Sequence, residues 1–170
     1  MSSFHDLESD LWVPAPIDKV WALFSDPKNL VALTPESYHA EVEILDANHR
    51  LLIRVSPFGK SLPVRFKWIS QLKDFQPEGA RRSFRDIQVE GPFAHWEHEH
   101  IFEEGEASFE GGRSGSPALK PNEKGAWIRD RVQYAVPFGP IGEMAHRLGL
   151  KRQIASLFAY RREALRRLFP

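Results

Sequence analysis

From about residue 38 to residue 136 the apolar side chains recur every second position, and only beyond Pro137 and Pro140 does the spacing turn helical and stay so. A period of two places alternate residues on opposite faces of a strand, whereas a period near 3.6 makes one stripe on a helix. The clearest alternation sets Leu62, Val64, Phe66, Trp68, Ser70 and Leu72 against Arg65, Lys67, Gln71 and Lys73. Shorter runs precede it at Ala40, Val42, Ile44 and at Leu51, Ile53, Val55. Three more strands are expected near 81–90, 94–104 and 126–136, the last with Ile128, Asp130, Val132, Tyr134 and Val136 on one face. Consecutive strands with short connections form an antiparallel meander with one apolar face, which must be covered.

The cover is the last element. A short helical segment is expected over Ile141 to Leu150 and a long helix over Lys151 to Leu168, with Ile154, Leu157, Phe158, Leu165 and Leu168 as its stripe. Ahead of the meander, His5 to Val13 alternates as a strand. Pro16 then suits a helix start, because its missing N–H needs no partner there. Ile17, Val20, Trp21 and Phe24 mark one short helix, and Leu30, Val31 and Leu33 a second that closes before Pro35. The expected fold is therefore α+β: a curved antiparallel sheet of six or seven strands wrapped on a long C-terminal helix, with two short helices after the first strand. The chain reads as a single domain over 1–170. The polar stretch from Gly105 to Gly125 is expected to be a flexible loop, having few residues able to offset the cost of ordering.

Composition narrows the function classes. The 170 residues carry 23 basic and 23 acidic side chains and no cysteine. Disulfide and thiol chemistry are thereby excluded, and no basic stripe for nucleic acid is present apart from a solvated face of the last helix. The N-terminal residues lack the basic flank and apolar run of a signal peptide. No run approaches the roughly eighteen apolar residues of a membrane span. A cytoplasmic protein is the expectation.

The segment Trp96-Glu97-His98-Glu99-His100-Ile101-Phe102 is the most unusual. On a strand Trp96, His98, His100 and Phe102 share a face, and the flanking aromatics mark that face as the inner one. Asp130 and Tyr134 occupy the same kind of position on the last strand. Asp86 joins them if Phe84 points inward, although Ile87 and Val89 favour the other face. Arg161 interrupts the stripe of the long helix, either snorkelling to solvent or reaching toward Asp130 or an anionic ligand group. Phe66 and Trp68 add aromatic wall. Three readings of this group stay open: a satisfied structural network, a polar anchor in an apolar pocket, or a weakly signalled His-x-His-plus-Asp site for zinc or iron. No metal and no cofactor is expected. Gly59-Lys60-Ser61 lacks the earlier glycine of a phosphate-binding loop, since Arg54 stands there.

Several segments together resemble a known group: Val13-Pro14-Ala15-Pro16-Ile17-Asp18-Lys19-Val20-Trp21, Gly91-Pro92-Phe93-Ala94 running into the His98/His100 strand, Asp130 through Gly139, and Phe158-Ala159-Tyr160-Arg161. Over nearly its whole length the chain is similar to the START-like, or SRPBCC, superfamily of helix-grip proteins, and within it to bacterial polyketide cyclase/dehydrase-like ligand-binding proteins. The resemblance implies an internal cavity for a hydrophobic or amphipathic small molecule. It implies function only broadly, because this fold hosts binders, carriers and enzymes alike. A non-enzymatic binder is the leading expectation. The alternative is a cyclase, dehydratase or isomerase in which His98 or His100 is the general acid/base and Tyr134 or Arg161 stabilises an enolate. A structural or interaction module is the third class, fitting an interior filled by its own side chains.

Overall fold

The computed structural model describes residues 3–47, 49–56, 64–107 and 124–170. The chain begins with strand β1 (Phe4–Val13) and helix α1 (Ile17–Ser25), followed by 3₁₀ turns at Pro27–Leu30 and Glu36–Tyr38. Strands β2 (Glu41–Ile44), β3 (Arg50–Val55), β4 (Phe66–Gln76), β5 (Arg81–Glu90), β6 (His95–Glu106) and β7 (Lys124–Ala135) come next. The last element is one continuous helical run: α2 (Gly139–Ala145), a π-helical segment (His146–Leu150) and α3 (Lys151–Leu168). The seven strands form one antiparallel sheet in the order β1-β7-β6-β5-β4-β3-β2, so the chain's first strand closes onto its last. This is the expected helix-grip arrangement.

Four local expectations need correction. The second short helix is only a 3₁₀ turn at Pro27–Leu30, capped by the Asp26 carboxylate accepting from the Lys28 amide. The stretch before Pro35 is too short for the costly nucleus of an α-helix. The segment 141–150 and the long helix are not separate, because no proline lies between them and the junction is absorbed as a π segment. Leu168 is exposed at the helix end, and Ala164 is buried beside Leu165 instead. Strands β6 and β7 run into both ends of the expected loop, to Glu106 and from Lys124. Its middle, like Leu62 and Gly59-Lys60-Ser61, lies outside the described residues.

The inner face of the sheet carries two apolar clusters. One gathers Leu11, Val13, Val20, Phe24, Phe84, Phe102, Ile128 and Leu165, and the other Trp96, Val132, Tyr134, Ile154 and Phe158. On β6, β7 and α3 alike, a polar position separates them: His98 and His100 between Trp96 and Phe102, Asp130 between Val132 and Ile128, Arg161 between Phe158 and Leu165. A polar belt thus crosses the buried interface of sheet and helix.

The start of the terminal helix is anchored tightly. Any Cβ on Gly142 would fall 1.8 Å from the Pro137 carbonyl oxygen and 3.3 Å from a Val136 methyl. Backbone cannot yield as a flexible side chain can, so Gly142→Ala is expected to cost about 3 kcal/mol, the upper range for overpacking. Chemical denaturation would register it, and a variant within experimental error of the parent would show the helix start to be loose.

Candidate functional site

The belt is assembled by strand register. Asp86 on β5 lies directly opposite His98 on β6, and His100 lies opposite Asp130 on β7. Each of these positions shares the sheet face that α3 covers, and three basic groups converge on one oxygen, Asp130 Oδ1. His98 Nε2 is 2.8 Å away, His100 Nδ1 3.3 Å, and Arg161 Nη1 3.4 Å. The His100 contact is out of line for a hydrogen bond, which leaves Nδ1 buried without a hydrogen-bond partner among the described residues. The two imidazoles lie with centroids 3.7 Å apart, and Phe84 stacks on His100 at 4.5 Å. Ser70 on β4 donates its hydroxyl to Asp86.

Burial and pairing set the charges. Burial alone would raise the Asp130 carboxyl, but the His100 and His98 imidazoles and the Arg161 guanidinium hold it well below the usual carboxylate range. Burial lowers His98 despite the pull of Asp130. Burial and the adjacent His98 push His100 down to about 4. Asp86 is shifted the other way, raised by burial that Ser70, His100 and Arg161 only partly oppose. Near neutral pH the belt therefore holds one carboxylate–guanidinium pair among uncharged imidazoles, with a carboxyl displaced toward its neutral acid. The Arg161 side chain is 11% exposed, so it reaches inward rather than snorkelling. Its guanidinium also lies over the Phe24 and Phe158 rings, at 5.9 and 5.6 Å.

Beside the belt, under the helix, is a cavity of about 50 Å³. Leu33, Leu51, Leu72, Phe24 and Phe84 form its apolar wall, Asp86, His100 and Arg161 are its inner polar groups, and Asp26 stands at its mouth. That volume holds a water or two, against the 300 Å³ or more of typical ligand sites. A larger hollow of about 280 Å³ lies across Asp6, Glu8, Glu97, Glu99, Arg131 and Gln133 on the outer face. It is shallow and chiefly charged, and none of the belt residues opens into it.

The residues singled out from sequence are distributed unevenly. His98, His100, Asp130, Arg161 and Asp86 meet in the belt. Phe84 does point inward, while Val89 is 51% exposed, which settles the face of β5. Trp96 and Phe102 are core residues, one in each cluster. Trp68 is half-buried against Trp96, with ring centroids 5.0 Å apart, and its indole N–H has no partner among the described residues. Phe66 is half-buried at the first position of β4. Tyr134 shares the inner face, but its hydroxyl lies 2.8 Å from His146 Nε2, away from the belt. Sequence reasoning missed Ser70 as a partner, although a serine on the apolar side of the best-alternating strand was a visible signal. It also missed the group in which His5 bonds Glu143 at 3.0 Å and stacks on His146 at 3.9 Å. The Glu143-x-x-His146 spacing on one helix face was its signal.

Two trios could in principle hold a metal ion: His5, Glu143 and His146, and Asp86, His98 and His100, each with ligand atoms within 4.8 Å of one another. The geometry fits neither well. The His5 and His146 rings are stacked at 23°, so their in-plane lone pairs run nearly parallel instead of converging. A divalent cation at the second trio would lie in the field of the Arg161 guanidinium, which already neutralises Asp130. The belt is better suited to holding a proton or the polar end of an organic molecule.

Comparison with known proteins agrees with the architecture. The sequence matches the family described as polyketide cyclase / dehydrase and lipid transport over residues 13–158. A START superfamily protein from Mycobacterium smegmatis is similar in structure, with TM-score 0.62, 16% identity and 97% of each chain covered. Norcoclaurine synthase from Thalictrum flavum superposes with TM-score 0.55 at 15% identity, covering 93% of both chains. The di-domain ARO/CYC protein BexL gives TM-score 0.57 at 19% identity, over 95% of this chain and 46% of its own. At such identities these likenesses speak to fold alone. No curated protein matches the sequence.

Proposed function

We propose, from the premise that the chain belongs to the polyketide cyclase / dehydrase and lipid transport family, that it holds a hydrophobic or amphipathic small molecule between the sheet and α3. The polar end of the ligand would meet Asp86, His100 and Arg161. One observation carries this reading: the cavity has apolar walls, and its few inner polar groups are the members of the buried belt. Apolar burial would drive binding at about 25 cal/mol per Å², and the belt would orient the guest. At about 50 Å³ the space is too small for such a guest, so uptake would require the turn at Pro27–Leu30, which lines it, to move outward. Phe66, Trp68, Trp96 and Phe102 would then serve as outer walls. A single domain acting in the cytoplasm goes with this reading.

A thermal-shift panel of fatty acids, quinones and aromatic polyketides tests it. A ligand present at a hundredfold its Kd stabilises by about 2.7 kcal/mol, or about 5–10 °C for a chain of this size. Arg161→Met is expected to abolish the shift for carboxylate-bearing ligands and to spare that for neutral ones. A flat response across the panel would favour a module whose interior is closed for good.

A catalytic variant of this reading has its own support, the buried Nδ1 of His100, which lies 3.3 Å from Asp130 and makes no hydrogen bond among the described residues. A neutral imidazole can accept a proton, weakly when it is held near 4, and Arg161, which lines the same cavity, could stabilise an enolate. Tyr134 is engaged by His146 and lies off this route. His100→Gln separates the cases: retained binding with lost turnover of a polyketide-like substrate supports catalysis, and equal loss of both supports the binder.

A further inference from the structure

We infer that the first half of the terminal helix is a docking surface for anionic lipid bilayers. Ile141, Met144 and Leu148 are 70%, 59% and 81% exposed, and spacings of three and four put them on one helix face; Phe138, immediately before the helix, is 81% exposed as well. An amphipathic helix normally turns such a face to the core. Here the opposite face is the one tied down: Gly142 is pressed on the Pro137 carbonyl, His146 meets Tyr134, and Glu143 is bound to His5. The helix cannot roll to hide its apolar side.

Phe138 adds an independent sign. Its φ of 66° is a left-handed conformation that costs a bulky residue energy, yet its ring packs on little and stands in solvent. Strain without packing gain inside the molecule points to a partner outside it.

Charge indicates which partner. Arg147, Lys151 and Arg152 are exposed around the stripe and take part in no ion pair among the described residues. On the sheet's outer face, by contrast, Arg81, Arg85, Arg129 and Arg131 are all matched by acids. Between 138 and 152 the only acid is Glu143, which is turned to His5. An exposed apolar stripe flanked by cations that make no ion pair among the described residues fits the headgroup–acyl boundary of a negatively charged membrane. The surface stands apart from whatever the interior holds, though it would bring that interior to a source of hydrophobic molecules.

Co-sedimentation of the full chain with phosphatidylcholine vesicles, with and without phosphatidylglycerol, is the test. Strong pelleting with the anionic vesicles only, weakened by salt, is expected. Phe138→Gly and Leu148→Ser should each lower partitioning about tenfold or more. Phe138→Gly should leave the thermal midpoint unchanged or raise it, since glycine adopts this φ freely. Arg147→Gln and Lys151→Gln should each lower anionic binding about fivefold. Arg161→Met should bind vesicles normally, so failure of the interior site would not be mistaken for failure of this one. No pelleting with either vesicle, or pelleting indifferent to the four surface changes, overturns the inference. Self-association abolished by Leu148→Ser, without vesicle binding, would overturn it in favour of an interface between copies.

Discussion

Asp130→Ala is expected to lower the thermal midpoint by about 6–20 °C. The carboxylate is 4% exposed and is the common partner of His98, His100 and Arg161. Its removal strands a guanidinium inside an apolar contact and leaves His98 Nε2 without its acceptor. Breaking a buried pair from one side costs about 3–5 kcal/mol. At about 2–4 °C per kcal/mol for a chain of this length, the shift follows. Adding Arg161→Met to Asp130→Ala should recover part of the loss, because the uncompensated charge goes with it, and the double-mutant cycle would report a coupling of more than 1 kcal/mol. A drop of only a degree or two would mean that water reaches the belt and that no charge is buried there.

Acidification from pH 7 to pH 4.5 is the second large effect, and it is expected to destabilise the fold. His98 and His100 have folded pKa values depressed by burial, His100 to about 4 from 6.5. Below 6.5 the unfolded chain takes up protons that the folded chain refuses, so stability falls with pH until the folded values are reached. For His100 alone the full displacement corresponds to about 3 kcal/mol. Asp86 works against this, because a raised carboxyl penalises the fold as pH climbs above 3.8 and relieves it on acidification. Asp130 is depressed, so its contribution is lost only as pH falls below its ordinary value of 3.8, outside this window. With two depressed imidazoles set against one raised carboxyl, a net loss of stability is the expected outcome. Urea denaturation across pH 4.5–7 should show the slope flattened in His100→Gln and steepened in Asp86→Asn. A stability independent of pH in both the parent chain and Asp86→Asn would show both imidazoles to be solvated.

The inner face of β6 was legible because strand periodicity is a local property: Trp96 and Phe102 bracket His98 and His100, and nothing distant can move a residue to the other face without slipping the whole strand. Asp130 was legible for the same reason. Asp86 was ambiguous because β5 has apolar residues on both faces, Phe84 on one and Ile87 and Val89 on the other. The partner of Tyr134 was hidden, since it is drawn to His146 by a helix that begins five residues after it. The exposed stripe at Ile141, Met144 and Leu148 has the spacing of an ordinary core face. Only the packing of the other side of that helix reveals that it faces outward.

Taken alone, the order of residues determined most of the strands, the long helix and which side chains share a face on β6 and β7, because these follow from backbone geometry repeated every two or every 3.6 residues. It thereby placed two histidines and an aspartate on buried surface. The tertiary structure decided the rest: that His98, His100 and Arg161 aim at one oxygen of Asp130, that Ser70 reaches Asp86, and that the remaining cavity is about 50 Å³. Those outcomes depend on register between strands and on how side-chain volumes from six elements fill one space. No single segment of the chain contains that information.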